Sequence, residues 1–379
     1  MIYALPYIAL ICFYGLMALW YSKTQVISHK IWNKAICIVI TIIFWGFRGF
    51  CFYDWMSYYP EFLQLDTHDL VNNLQSTEPG FILLMTICKI IYNDYTFFMV
   101  VCTCINVFLL TIFLRRNIDN FPLGIMICTA IGGIFLFTDL IRNAITIFIF
   151  INAIYYIKQR EPIKYLLLCL LGLTFHYSAI LYFLMYFILH RKINKWVFVG
   201  VFVCGCAIFA LNISLLTDVA TMILGTISPE IEERIRFYLS EIANTKPSIN
   251  FVFIERVITG GLVICYMDRL RELRKDADMF INCIFIYFIF TFYLHEFVTL
   301  SHRMSLLFAC GYWVIWYDLI KCFRYETNRN LFIIFIGLYC NLKILGQTQN
   351  IIAKYDNVLF DSETYQMRES MFNKSFKEQ

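Results

Sequence analysis

Residues 35–51 read AICIVITIIFWGFRGFC. From Ala35 to Phe47 no side chain is charged, and then comes Arg48. Apolar and polar residues do not alternate here, so the stretch lacks the in–out pattern of a barrel strand. A helix needs about 20 mostly apolar residues to cross a bilayer. Comparable runs recur at roughly 3–21, 95–115, 121–138, 140–157, 165–190, 196–212, 250–267, 279–297, 303–320 and 330–346 of the 379 residues. The chain is 60% hydrophobic and 15% charged, whereas a soluble domain is about half apolar and about a quarter charged. The reading is an all-α, polytopic integral membrane protein with about 11–13 transmembrane or half-membrane helices. A single helical domain covers 1–346, and a polar tail follows at 347–379.

Several classes fall away. The fifteen cysteines contain no C-x-x-C pair, and most, such as Cys37, Cys102, Cys128, Cys169 and Cys283, lie inside apolar runs. They read as small hydrophobes, with neither a disulfide framework nor a zinc site. The first run lacks a basic start and an A-x-A exit, so it reads as a retained span rather than a signal peptide. The one D-x-D, Asp276-Ala277-Asp278, sits in the most basic loop and reads as a solvated charged segment. No metal and no cofactor is expected. Gly132-Gly133 and Gly260-Gly261 lie in apolar spans and read as close helix contacts. Basic residues track one rim without aromatic interleaving, which argues against a nucleic-acid partner.

The distribution of the net charge of +4 orients the chain. Lys23, Lys30 and Lys34, then Arg115-Arg116, then Lys158, Arg160 and Lys164 mark short loops. So do Arg191, Lys192 and Lys195, then Arg269, Arg271, Arg274 and Lys275, then Lys321, Arg324 and Arg329. Placing all of them in the cytoplasm forces two unusual segments. Phe81–Tyr92 becomes a short, partly inserted or surface-lying helix. Lys164–Arg191 becomes two half-length helices meeting at Phe175-His176-Tyr177-Ser178. Two larger loops, about 51–79 and 213–249, then face the periplasm. The first holds no Lys or Arg but Asp54, Glu61, Asp66, Asp69 and Glu78. The second contains Ser228-Pro229-Glu230, a helix start that predicts an amphipathic helix on the interface or packed on the bundle.

Isolated polar residues gather at the same outer level: Arg48; Asp139 and Arg142; His176; His295 and Glu296; His302 and Arg303. An arginine near mid-bilayer costs about 2.5–3.5 kcal/mol on insertion scales and less near an interface. Each one alone reads as an interfacial anchor. Three at one level, each beside a proton-active residue, read as a shared site. Planar guanidinium forks suit phosphate or pyrophosphate. Tyr53, Trp55, Tyr58 and Tyr59 form either an interfacial belt or flat faces for sugar rings.

The motifs occur in a set order: Arg48-Gly49 with Asp54 and Tyr58-Tyr59, then Glu78-Pro79-Gly80-Phe81, then Leu140-Ile141-Arg142-Asn143-Ala144. Thr174-Phe175-His176-Tyr177-Ser178-Ala179, Arg303 and Tyr355-Asp356-Asn357 complete it. This set resembles the EpsG/Wzy-like polymerases of bacterial polysaccharides. One departure is Phe52-Tyr53 before Asp54, where the family commonly has a small residue.

The resemblance implies a GT-C-like membrane glycosyltransferase that joins undecaprenyl-pyrophosphate-linked oligosaccharide repeat units. It implies action at the periplasmic face of the bacterial inner membrane, among membrane lipid, alongside a chain-length regulator and a flippase. In that reading Arg48, Arg142 and Arg303 hold the pyrophosphate. Asp54 or His176 is the base, with Glu78 a weaker candidate. Trp55, Tyr58, Tyr59, His302 and Tyr355 meet the glycan. The rivals are a lipid-linked oligosaccharide flippase, a polysaccharide ligase and a membrane acyltransferase. The absence of two related halves speaks against a flippase.

Overall fold

The protein is described here by a computed structural model covering residues 2–67, 69, 78–213 and 249–377. The first half runs α1 (Leu5–Lys23), α2 (Ile27–Gly46), α3 (Trp55–Gln64), α4 (Pro79–Ile91), α5 (Tyr95–Asn117), α6 (Phe121–Thr138), α7 (Ile141–Lys158), α8 (Pro162–Phe175) and α9 (Ile180–Ile188). The rest runs α10 (Lys195–Ala210), α11 (Phe251–Leu273), α12 (Ala277–Tyr293), α13 (Val298–Leu306), α14 (Cys310–Cys322), α15 (Glu326–Gln347) and α16 (Tyr365–Lys377). Six helices, α1, α2, α5, α6, α7 and α15, are long and apolar enough to cross a membrane. The chain is thus an all-α, multi-pass membrane protein. All fifteen cysteines are free thiols.

Local sequence sets the helix starts. Asp94, Asn120, Asn194 and Asn250 each accept a hydrogen bond from a backbone N–H in the first turn of α5, α6, α10 and α11. Such caps satisfy donors that the helix itself leaves unpaired. Pro79 and Pro162 open α4 and α8, where their missing N–H costs nothing.

The chain divides into two compact units, Met1–Tyr186 with Asn330–Gln379, and Phe187–Arg329. In the first unit α6 is the central element, with 94% of its length buried. It is broken midway: Ile131 and Gly132 leave helical geometry, and Gly132 sits at φ +96°. That left-handed conformation favours glycine. The sequence reading of Gly132 as a close-packing residue is corrected here, because its job is to turn the backbone. In the second unit α10, α13 and α14 gather on α12. A Cβ on Gly311 would overlap the α12 backbone, and one on Gly260 would overlap the Phe202 ring. With lipid tails as apolar as leucine, such close approaches are what hold membrane helices together.

The broken pair at His176 and the short helix at 79–91 stand as the charge argument required. Other boundaries move. The stretch read as a span over 35–51 is helical over Ile27–Gly46, so Arg48 lies beyond the helix end. The span expected at 303–320 is two helices, α13 and α14, separated at 307–309 by tight i→i+3 turns. Arg269 and Arg271 ride on the last turns of α11 rather than in a loop. The helix expected after Ser228 lies outside the described residues.

Candidate functional site

Helix α3 is the support of the site in the first unit, and both of its ends are gripped. Asp139, at the C-terminus of α6, accepts hydrogen bonds from the backbone N–H groups of Tyr53 (2.8 Å) and Asp54 (3.2 Å). At the other end the Lys89 ammonium donates to the carbonyls of Phe62, Leu63 and Leu65 at 2.7–2.9 Å. An anion at the N-terminus and a cation at the C-terminus match the helix dipole. So held, α3 aims Tyr58 at Arg142 in the first turn of α7.

Arg142 is engaged on two of its nitrogens. Nε donates to the Tyr58 hydroxyl at 3.0 Å, and Nη1 donates to Glu78 Oε2 at 2.6 Å. The Glu78 side chain is 4% exposed, whereas that of Arg142 is 26% exposed. The guanidinium also lies over the rings of Tyr58 and Phe81. Its Nη2 donates to no described group.

One residue along, Asn143 Oδ1 accepts from the Ser178 hydroxyl at 2.8 Å. The Ser178 backbone N–H donates to His176 Nδ1 at 3.1 Å. His176 Nδ1 also lies 2.9 Å from the Ser178 hydroxyl. His176 is therefore the cap that starts the 177–179 turn. A Cβ on Gly80 would overlap Thr174, so glycine lets the start of α4 lie against the same break. The Glu78-Pro79-Gly80, Arg142-Asn143-Ala144 and Thr174–Ala179 motifs thus meet at one place, although they are distant in sequence.

The Arg48 and Tyr355–Asn357 motifs meet elsewhere in this unit. Three carbonyls at the end of α2 accept from side chains. Asn357 Nδ2 donates to Ile43 O, the Tyr355 hydroxyl to Phe44 O, and Arg48 Nη1 to Trp45 O, at 2.7–3.1 Å. Arg48 Nη2 reaches Thr138 O at 3.4 Å. Gly49 donates to Asp356 O, and its missing Cβ leaves room for the Asp356 carboxylate. Burial pushes the Tyr355 hydroxyl up to about 12, so it keeps the proton that it donates. Arg48 and Tyr355 therefore serve as a helix cap. A cavity of about 120 Å³ opens beside Arg48, lined also by Cys51, Trp55, Tyr95 and Glu363. Arg142 does not line it.

Of the predicted aromatic faces, Tyr58 is buried under Arg142 and Trp55 lies beneath Tyr365 and Phe372. Tyr59 stacks on Tyr365 with ring centroids 4.9 Å apart. Asp54 is half-buried at the start of α3. In the second unit His302 is half-buried, while Arg303 is exposed on α13 and bonds to no described residue. His295 is buried with Nδ1 on Phe292 O at 2.8 Å. Asp276 and Asp278, the D-x-D carboxylates, are ion-paired to Arg274 and Arg271.

Sequence reasoning missed four residues. Asp139 was noted only as an outer polar group, yet it holds α3. Lys89 carried no motif. Arg368, 3% exposed, is salt-bridged to Asp356 and Glu363. Glu363 in turn also pairs with Lys354.

These features define a multi-pass membrane protein whose polar site is built at helix breaks and helix ends. The chain belongs to the EpsG family, whose profile matches residues 32–355. This is a Wzy-like polysaccharide polymerase family, which gives the protein a role in polysaccharide biosynthesis. No curated protein and no solved structure matches the chain.

Proposed function

We propose that this protein is the polymerase that joins oligosaccharide repeat units carried on undecaprenyl pyrophosphate at the periplasmic face of the inner membrane. The observation that supports it most is the convergence of three family-type motifs on Arg142, all within the matched residues. Transfer breaks the bond between the anomeric carbon and the pyrophosphate oxygen, which departs with the electron pair. A bond forms from the acceptor hydroxyl oxygen to the same carbon, and the hydroxyl proton passes to a base.

Charge grows on the departing pyrophosphate, so donors must already be aimed at it. Arg142 supplies its guanidinium, and Glu78 and Tyr58 keep the guanidinium plane fixed. His176 lies at the same helix break and is suited to orient the acceptor or to bond a phosphate oxygen. Asp54 or His176 takes the hydroxyl proton as the base, with Glu78 a weaker candidate. Arg303 is a further exposed guanidinium suited to phosphate.

The test compares the lipid-linked sugars of a deletion strain with those of its parent. Single repeat units accumulating at the outer face support a polymerase. Units held inside point to a flippase, and full-length polymer left on its carrier points to a ligase.

A further inference from the structure

Beyond the Arg142 cluster, an open groove of about 570 Å³ lies between α3 and α16. Tyr59, Leu63 and Gln64 form one side; Thr364, Tyr365 and Gln366 form the other. Its volume falls within the range of about 300–1,000 Å³ typical of small-molecule sites. Among the described residues no charged side chain lines it. The chemistry is aromatic rings, one exposed aliphatic side chain, a threonine hydroxyl and two exposed primary amides.

We infer that this groove binds an uncharged oligosaccharide segment. A pyranose ring has apolar C–H faces and a rim of hydroxyls. The Tyr59–Tyr365 pair offers rigid amphipathic rings to the first. Gln64 and Gln366 each offer both donor and acceptor to the second. A phosphate would find no cation among the described lining residues, and a lipid tail would leave Gln64, Thr364 and Gln366 facing hydrocarbon. Tyr59 follows Tyr58 directly on α3, so the groove and the Arg142 cluster share one rigid support. Its second wall, Thr364–Gln366, lies beyond the family match, which ends at 355. The groove is therefore a place where this chain sets specificity for its own glycan. The inference rests on the polymerase reading for its biological role.

The experiment uses the full chain in nanodiscs. The probe is the host's repeat-unit oligosaccharide, released from its carrier by mild acid and freed of phosphate, and binding is read by saturation-transfer NMR. Wild type and Arg142→Ala should both bind it. The Gln64→Ala, Gln366→Ala double variant should bind about tenfold more weakly, since each lost neutral hydrogen bond contributes about 0.5–1.5 kcal/mol. Both positions are exposed, so the fold is preserved, and the strain should make shorter polymer rather than none. No binding to wild type, or equal binding to the double variant, overturns the groove. Normal polymer from the deletion strain, with sugar binding lost only in the glutamine variant, overturns the polymerase reading and leaves the groove standing.

Discussion

At the scale of single residues, Arg142 illustrates how one side chain carries both structure and chemistry. Removing it strands the Glu78 carboxylate, and unpaired buried charges cost about 3–5 kcal/mol. The partial exposure of Arg142 places this case toward or below the lower end of that range. Arg142→Ala should therefore lower both the thermal midpoint and polymer output. Adding Glu78→Ala should restore much of the midpoint and none of the polymer, as read by thermal unfolding in detergent and by polymer gels. A restored polymer would remove Arg142 from the chemistry. His176→Asn supplies another separation. An asparagine oxygen can still accept from the Ser178 N–H, but the second ring nitrogen is gone. The protein should fold normally, and polymer should fall by about tenfold or more, in keeping with the loss of a proton-transfer or hydrogen-bonding group at the reacting centre.

Element-scale behaviour follows from a few glycines and caps. Gly80→Ala forces the start of α4 away from Thr174 and should cost about 1–3 kcal/mol, the usual range for overpacking. The expected readout is a lower thermal midpoint with a misplaced Glu78, and hence reduced polymer. Gly132→Ala should be destabilising by about 1–2 kcal/mol through its left-handed backbone alone. Elements were legible in the sequence where one signal dominated. Long apolar runs gave α1, α5, α6 and α7, and the charges flanking Lys164–Arg191 gave the break at His176. Helix α3 was not legible. It is a short helix inside what reads as a loop, and it depends on Asp139 and Lys89, which reach it from other helices. The break between α13 and α14 carries no proline, so nothing in the local sequence announces it. The cap built by Arg48 and Tyr355 was similarly hidden, because a cation after an apolar run looks the same whether it meets a ligand or a carbonyl.

For the whole molecule, the residues of the candidate site in the first unit come from both termini and the middle of the chain. Segments 43–59, 78–81, 138–146, 172–179 and 351–372 all contribute to its packing. A truncation after Asn350 removes Tyr355 and Asn357, leaving the Ile43 and Phe44 carbonyls without those side-chain donors. It also uncovers Trp55 and Tyr59. The expected outcome is a protein of lower abundance and lower thermal midpoint than the full chain, measured by fluorescence-detected size exclusion. A Tyr355→Phe, Asn357→Ala variant should reproduce part of that loss while keeping α16. An unchanged midpoint in both would show that α2 ends without help from the tail.

The α2 cap also imposes an order on biosynthesis. Tyr355 is 311 residues downstream of its partner Phe44, and Asn357 is 314 downstream of Ile43. The ribosome has released almost the entire polypeptide before these two bonds can close. Until then the end of α2 lacks both side-chain donors, so this corner of the bundle closes only late in synthesis.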